Sequence, residues 1–345
     1  MTLSPLKRTV FALIALTGSF GLILGVMFIA DLYAHTRVER SAGLNRHGYR
    51  GPVVGGKRPG EVRIVMLGGS TVFGFNVEVE DALPEQLDRA LALVEPNVKV
   101  VNLGYHQEAA VSFVPTLRSY DFLDYDIVLL YEGYNDILGD AQPNNSQKRH
   151  ASPLFRAVGY YPILPQILRE KAGFLRGRDG QAQVVFTPSL ANRTSAAALD
   201  VSSAFAEALG RQLDRIVDPV DAAPHSGAGC GAPWSHYCGS VGAAIRYALE
   251  HGKLVLMIGQ PRLPHKEAER HASQQRALSA MIATEFGGDP RVRYIDLADA
   301  VDLANNGLAF DGLHLNREGN AMVAQRLVDP VRALITARRA AAGSP

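Results

Sequence analysis

The fold of this chain is decided by the stretch Ile64-Val65-Met66-Leu67-Gly68-Gly69-Ser70-Thr71-Val72-Phe73-Gly74. An apolar run typical of a buried strand stops at a pair of glycines, and a serine follows at once. A serine hydroxyl is a weak nucleophile unless a base lies within hydrogen-bond reach and a further group orients that base. The stretch therefore predicts a strand that ends in a tight turn, with Ser70 as a candidate nucleophile.

Partners for such a serine occur in two later stretches. Near the C-terminus, Asp311-Gly312-Leu313-His314 offers His314 as a base and Asp311 as its orienting acid. After another apolar run, Gly133-Tyr134-Asn135-Asp136 offers the Asn135 amide as a donor to an oxyanion. Asp136 is interpreted as a turn residue. Together these residue types predict a serine hydrolase.

The rest of the chain alternates between strand and helix patterns. Near-continuous apolar strands that alternate with helices indicate a parallel sheet covered on both faces. The predicted fold class is α/β, a three-layer α/β/α sandwich around a five-stranded parallel, flavodoxin-like sheet. Strands are predicted over 62–67, 98–103, 126–131, 253–258 and 292–297, and helices over 81–94, 107–117, 240–250, 267–286 and 318–339.

The predicted sheet brings the candidate residues together. In an open parallel sheet, the loops that follow the strands all gather at one edge, and ligands bind there where the strand order reverses. Ser70 follows the first strand, Gly104 the second and Asn135 the third, while Asp311 and His314 follow the fifth. Taken alone, Ser70 is better explained as a helix N-cap. The joint arrangement favours a catalytic site.

These blocks resemble the SGNH hydrolase superfamily, also called GDSL esterases and lipases. The first block of that family is matched by Gly68-Gly69-Ser70-Thr71, with glycine where the name-giving motif has aspartate. The glycine of the second block is matched by Gly104, and the third and fourth blocks by residues 133–136 and 311–314. The resemblance covers roughly residues 62–338.

The resemblance implies a role for each matched residue. Ser70 attacks an acyl carbonyl, His314 moves the proton, and Asp311 holds the imidazole in one tautomer. The oxyanion hole comprises the N–H groups of Ser70 and Gly104 and the side chain of Asn135. No cofactor and no metal are expected for this chemistry.

The N-terminal part predicts a membrane anchor. Residues 10–30, VFALIALTGSFGLILGVMFIA, carry no charge, and a helix of that length matches a hydrocarbon core of about 30 Å. The best cleavage position for a signal peptidase, before His35, has Leu32 where a small residue is wanted, which favours an uncleaved anchor. Lys7 and Arg8 favour a cytoplasmic N-terminus, although arginines at 37, 40, 46 and 50 oppose it. We expect a single-pass protein with its catalytic domain outside the cytoplasm, in the periplasm.

The predicted organisation has three parts: a cytoplasmic tip and anchor over 1–33, a polar linker leading into the domain over 34–60, and a hydrolase-like domain over 61–340. An insertion over about 138–238 interrupts that domain beside Asn135. It contains an apolar stretch with interspersed charge at 160–175, which packs over the rim or on the membrane surface, and a helix over 195–217. Cys230 and Cys238 favour a local disulfide over a metal site with His236.

Composition limits the partners. The chain has 345 residues and a formal net charge of +1, which gives no reason to expect nucleic acid. The expected substrate is a small acyl ester, acetyl above all, on envelope carbohydrate or polysaccharide. The alternatives are a lysophospholipase or thioesterase-like lipase acting on lipid, an O-acetyltransferase, and a non-catalytic scaffold of envelope assembly. The sequence does not decide the oligomeric state.

Overall fold

A computed structural model describes residues 4–141, 153–164, 167, 230–264 and 267–343. The sheet has five strands, all parallel, in the order β2-β1-β3-β4-β5, which confirms the predicted fold class. The strands are β1 (Val62–Gly68), β2 (Val98–Asn102), β3 (Ile127–Tyr131), β4 (Leu254–Gly259) and β5 (Val292–Asp296).

Helices cover both faces of the sheet, as the predicted strand patterns require. Every residue of β1, β3 and β4 is buried, whereas the edge strand β5 is partly exposed. The helices are α1 (Pro5–Ala42), α2 (Ser70–Phe73), α3 (Leu83–Ala92), α4 (Phe113–Ser119), α5 (Pro153–Val158), α6 (Ser235–Glu250), α7 (Ala268–Phe286) and α8 (Arg317–Gly343).

The two cores follow from the alternation of side chains along each strand. Val65 and Leu67 pack in the layer of α4, α6 and α7, while Ile64 and Met66 pack in the layer of α3 and α8. Successive residues of a strand point to opposite faces, so an uninterrupted apolar run supplies both layers at once. The strand that carries the candidate nucleophile is thus held from both sides.

The prediction of a linker over residues 34–60 is wrong for the first part of that range, because α1 continues to Ala42. Val38 is buried, so this end of the helix packs on the domain and is not a free tether. The helix ends at Gly43, whose φ of 70° is left-handed and whose N–H bonds the carbonyl of Glu39 at 3.1 Å. The following residues Leu44 and Tyr49 are also buried. The segment that leads into the domain is therefore part of its core.

Most of the predicted insertion, including the helix predicted over 195–217, lies outside the described residues. At its end Cys230 and Cys238 form a disulfide with their Cα atoms 6.3 Å apart, which is the pairing that the sequence favours. Within the described part of the chain, no group of His, Cys, Asp and Glu residues has the arrangement of a metal site.

Candidate active site

The register of the central strands brings the first three blocks to one edge of the sheet. Met66 of β1 lies opposite Asn102 of β2, and Gly68 lies opposite Tyr131 at the end of β3. Beyond the strand ends, the N–H of Tyr105 still bonds the carbonyl of Gly68 at 3.0 Å. Since β1 lies between β2 and β3, the strand order reverses at the strand that precedes Ser70.

The turn before Ser70 has no room for side chains. A Cβ built on Gly68 would overlap the carbonyl oxygen of Tyr131, and one built on Gly69 would overlap Nδ2 of Asn135. Only glycine lets the backbone approach this closely. Ser70 is the first residue of α2, so its N–H has no acceptor within the helix. The N-cap interpretation of Ser70 does not apply, because Gly69 holds that position.

The serine, histidine and aspartate form one hydrogen-bonded chain. Ser70 Oγ lies 2.8 Å from His314 Nε2, and His314 Nδ1 lies 2.8 Å from Asp311 Oδ2. The other carboxylate oxygen of Asp311 accepts the backbone N–H of His314 at 2.8 Å. The carboxylate selects the tautomer with its proton on Nδ1, so that Nε2 is left to accept the Ser70 hydroxyl proton.

Electrostatics support these roles. Burial alone would raise the pKa of Asp311, but hydrogen bonds from the backbone and side chain of His314 outweigh it and hold that pKa below its usual value. Asp311 is therefore ionised at neutral pH and can stabilise an imidazolium. The His314 ring is buried against Phe75, with ring centroids 4.7 Å apart.

Asn135 and Gly104, the predicted oxyanion donors besides Ser70, both lie beside this turn. Asn135 Nδ2 donates to the carbonyl of Glu108 at 2.8 Å, and the amide also interacts with the Glu132 carboxyl. The Gly104 N–H donates to Oδ1 of Asn102 at 3.1 Å. A Cβ on Gly104 would overlap the backbone N of Phe73, so this residue also packs directly on α2. The structure thus brings all the predicted site residues to one rim.

Sequence reasoning missed Arg50, which contacts the C-terminal end of α2, the helix that begins at Ser70. The buried guanidinium donates to the carbonyls of Phe73 and Val77, at 2.6 and 2.5 Å, and also to that of Gly74. It lies 4.7 Å from the centre of the Phe73 ring. These carbonyls end α2 and the turn after it, so Arg50 replaces the solvent that they would otherwise need. In a basic, glycine-rich segment, no local signal separates this arginine from its neighbours.

Sequence reasoning also missed Glu132, a buried carboxyl beneath Asn135. Its Oε1 accepts the backbone N–H groups of Gly133 and Asn135 at 2.9 and 3.1 Å. Its Oε2 would lie 2.7 Å from a Cβ on Gly69. Together with Asn135, Glu132 thus occupies the space into which an aspartate at position 69 would project. Its only sequence signal is a single acidic residue directly after an apolar run.

Burial raises the pKa of Glu132 to about 7, even though backbone N–H groups donate to it. No lysine or arginine pairs with this carboxyl among the residues that the structure describes. Burial also raises the pKa of Asp136 well above its usual value, and the nearby Glu132 adds repulsion. Asp136 keeps a structural role, since its carboxyl accepts the N–H of Ala110 at 3.0 Å.

His106 lines the same region as a neutral ring. Burial lowers its pKa to about 3, and Arg50 and His314 contribute in the same direction. Its ring lies 4.1 Å from that of Phe73 and 5.6 Å from that of Phe75. Aromatic rings therefore pack beside His314.

Comparison with known proteins gives structural similarity only. No protein-family model and no curated protein matches the chain. The chain is similar to a psychrotrophic esterase from Pseudoalteromonas sp., with 9% identity, a TM-score of 0.44 and coverage of 80% of this chain and 100% of that one. It is similar to a carbohydrate acetylesterase from Sinorhizobium meliloti, with 13% identity, a TM-score of 0.40 and coverage of 79% and 100%. A lipolytic G-D-S-L family protein from Veillonella parvula is similar at 12% identity and a TM-score of 0.42, with coverage of 78% and 97%.

We expect Arg50→Met to destabilise the domain by on the order of 3 kcal/mol, because buried carbonyls of α2 and its following turn lose their donors. Chemical denaturation of the purified protein measures this loss. Arg46→Met is the matched control, since Arg46 is exposed and only four residues away. Equal unfolding midpoints for the two variants would contradict the role given to Arg50.

We expect Glu132→Gln to make stability less dependent on pH. A carboxyl whose pKa is raised from 4.5 to about 7 binds a proton in the folded chain that the unfolded chain has already lost. Its contribution to the free energy of unfolding is therefore complete below about pH 4.5 and is lost as the pH rises to about 7. The glutamine can accept the same two N–H groups without ionising.

Denaturation curves at about pH 5 and about pH 8 measure this difference. The control is Glu78→Gln, which removes an exposed carboxyl from a loop outside the rim. If wild type and Glu132→Gln lose the same stability between the two pH values, the buried carboxyl does not titrate as described.

Proposed function

We propose that this chain is a serine esterase of the SGNH hydrolase type that cleaves small acyl esters, acetyl above all, on carbohydrate. The observation that carries the proposal is the chain of 2.8 Å contacts from Ser70 to His314 to Asp311 at the carboxyl edge of the sheet. A scaffold protein has no need of a buried serine hydroxyl that donates to an oriented imidazole.

The proposed reaction has two halves. Ser70 Oγ attacks the ester carbonyl carbon while its proton passes to His314 Nε2. The tetrahedral intermediate collapses, the alcohol leaves with that proton, and the acyl group remains on Ser70. Water then attacks the acyl carbon, gives a proton to Nε2, and releases the carboxylic acid as Ser70 regains its proton. Asp311 stabilises the imidazolium formed in each half.

The charge that develops on the carbonyl oxygen needs donors on the side opposite His314. The Ser70 N–H can supply them, and the Asn135 amide and the Gly104 N–H join it when they are shared with their present acceptors. In characterised sites each such donor contributes on the order of 100- to 1,000-fold in turnover. Glu132 accepts the backbone N–H of Asn135 and so holds Asn135 in place.

Substrate preference is inferred from the rings around the serine. Phe73, Phe75 and His106 pack together beside His314, so an acyl group must fit against fixed aromatic surfaces. Acetyl fits such a space, whereas a long chain would overpack it. The alcohol part of the ester remains outside on the rim. A lysophospholipase is the second candidate, which the apolar helix α1 favours.

For localisation, we propose that α1 is a retained membrane anchor with the catalytic domain outside the cytoplasm. Over Leu6–Glu39, α1 is long and apolar enough to cross a membrane. Removal of the residues before His35 would also remove Asp31, which is buried against the domain. That contact favours an anchor over a cleaved signal sequence.

Ser70→Ala and His314→Ala should each reduce hydrolysis of p-nitrophenyl acetate by at least about 1,000-fold while leaving the unfolding midpoint near that of wild type. A fluorophosphonate probe should label wild type and the control Ser119→Ala, but not Ser70→Ala. Labelling of Ser70→Ala at the wild-type level would exclude Ser70 as the nucleophile.

Rates on p-nitrophenyl esters should fall steeply from acetate through butyrate to octanoate, because longer chains meet the packed rings. Acetylated oligosaccharide should be a better substrate than acetylated phenol. The measurement is kcat/KM for each ester on the purified full chain. A profile that rises toward octanoate would favour the lysophospholipase instead.

A further inference from the structure

Buried polar side chains hold α1, the proposed membrane helix, to the catalytic domain. Asp31 accepts the Tyr160 hydroxyl at one carboxylate oxygen and the Leu164 N–H at the other, the latter at 2.6 Å. One turn later, His35 Nε2 donates to the carbonyl of Tyr161 at 2.6 Å. Asp31 and His35 are each only 4% exposed. Breaking these contacts would leave buried polar groups without partners, so the helix and the domain move as one body.

These contacts lie where the apolar part of α1 ends. No charged residue occurs between Arg8 and Asp31, and Asp31 is the first one beyond the apolar stretch. Phe28, still within that stretch, packs against the ring of Tyr160 with centroids 5.4 Å apart. Tyrosine is enriched at the membrane–water interface. Tyr160 therefore marks the level at which the domain meets the bilayer surface.

The candidate active site is connected to this segment through side-chain contacts. The Tyr161 hydroxyl is 2.8 Å from the hydroxyl of Tyr105, which directly follows Gly104. The Tyr105 ring also lies 6.3 Å from that of Phe73 in the nucleophile helix. His35 is four residues beyond Asp31, about 6 Å along the helix axis. The side chains of Tyr161 and Tyr105 thus connect the segment docked on α1 to Gly104, one of the predicted oxyanion donors.

Apolar side chains are exposed beside the same segment. Phe122, Leu154 and Val158 are 54%, 40% and 64% exposed, and Phe122 approaches Gly159, the residue before Tyr160. An apolar surface of this kind is covered favourably by the interfacial region of a bilayer. Because this surface is continuous with the end of α1 that docks on the domain, we expect lipid to cover it.

We propose that the docked helix holds the active site at a fixed height above the membrane surface, and that the ester cleaved there is carried by a membrane-anchored alcohol. This inference rests on the proposed esterase function and on α1 as a membrane span. A site tied to the bilayer meets membrane-held esters at a high effective concentration, whereas it gains nothing for esters in solution. The alcohol can be a lipid-carried sugar or a lysophospholipid, which share an ester near the surface.

The test uses the full chain in phosphatidylcholine vesicles. It compares kcat/KM for an acetylated sugar linked to a lipid in the same vesicles with that for the same acetylated sugar free in solution, and includes lysophosphatidylcholine as a further arm. We expect wild type to prefer a membrane-held ester by at least about tenfold.

The decisive variant is Asp31→Ala/His35→Ala, which removes the polar contacts between α1 and the domain and changes no residue of the candidate active site. It should lose most of the preference for the membrane-held ester and keep the wild-type rate on p-nitrophenyl acetate. The matched control is Tyr33→Ala/Arg37→Ala, a pair with the same spacing on the exposed side of α1, where Arg37 donates to the Tyr33 hydroxyl at 2.9 Å. Tyr160→Phe is a milder variant that removes only the hydroxyl bonded to Asp31.

The outcomes are distinguishable. Preference for the lipid-linked acetyl sugar supports the proposal and identifies a lipid-carried glycan, while preference for lysophosphatidylcholine supports it with a lipid substrate. Equal rates on membrane-held and free esters in wild type overturn the proposal. An unchanged preference in both Asp31→Ala/His35→Ala and Tyr160→Phe overturns it as well. Neither result contradicts the proposed esterase function. If wild type cleaves no ester, p-nitrophenyl acetate included, the proposed function itself is overturned.

Discussion

Everything at the rim depends on how closely three strand ends approach one another. Gly68 lies against the Tyr131 carbonyl and Gly104 against the backbone N of Phe73, at distances that exclude any Cβ. Because the backbones meet there, the Ser70 hydroxyl can reach His314 while Asn135 lies beside the turn. Close approach of backbone to a reacting group is what glycine permits and other residues prevent.

Such a turn needs support, and the support is polar and buried. Arg50 donates to the carbonyls that end α2, and Glu132 accepts the N–H groups that begin the Asn135 turn. Arg50 satisfies acceptors and Glu132 satisfies donors, so both ends of the rim are fixed by hydrogen bonds to buried side chains. In a medium of low dielectric constant, such pairs are strong when complete and costly when broken.

The helix α1 is held to the domain by buried polar contacts of the same kind. If α1 spans a membrane as we propose, Asp31 and His35 restrict the domain to one height above the bilayer, where a flexible linker would allow many. The hydroxyl contact between Tyr161 and Tyr105 connects this docked segment to the residue after Gly104. In the proposed arrangement, position relative to the membrane is a property of the folded domain.

The sequence by itself determined the α/β class, the strands and the residues that meet at the rim, because each signal is local: an apolar run followed by glycine and a polar residue, or the short block from Asp311 to His314. The tertiary structure alone decided the roles of Arg50 and Glu132, since their partners lie in other elements. It also decided that residues 34–42 are helix, because the burial of Val38 depends on the domain surface against which it packs. Local patterns predict elements, whereas the satisfaction of buried polar groups depends on contacts that no single segment contains.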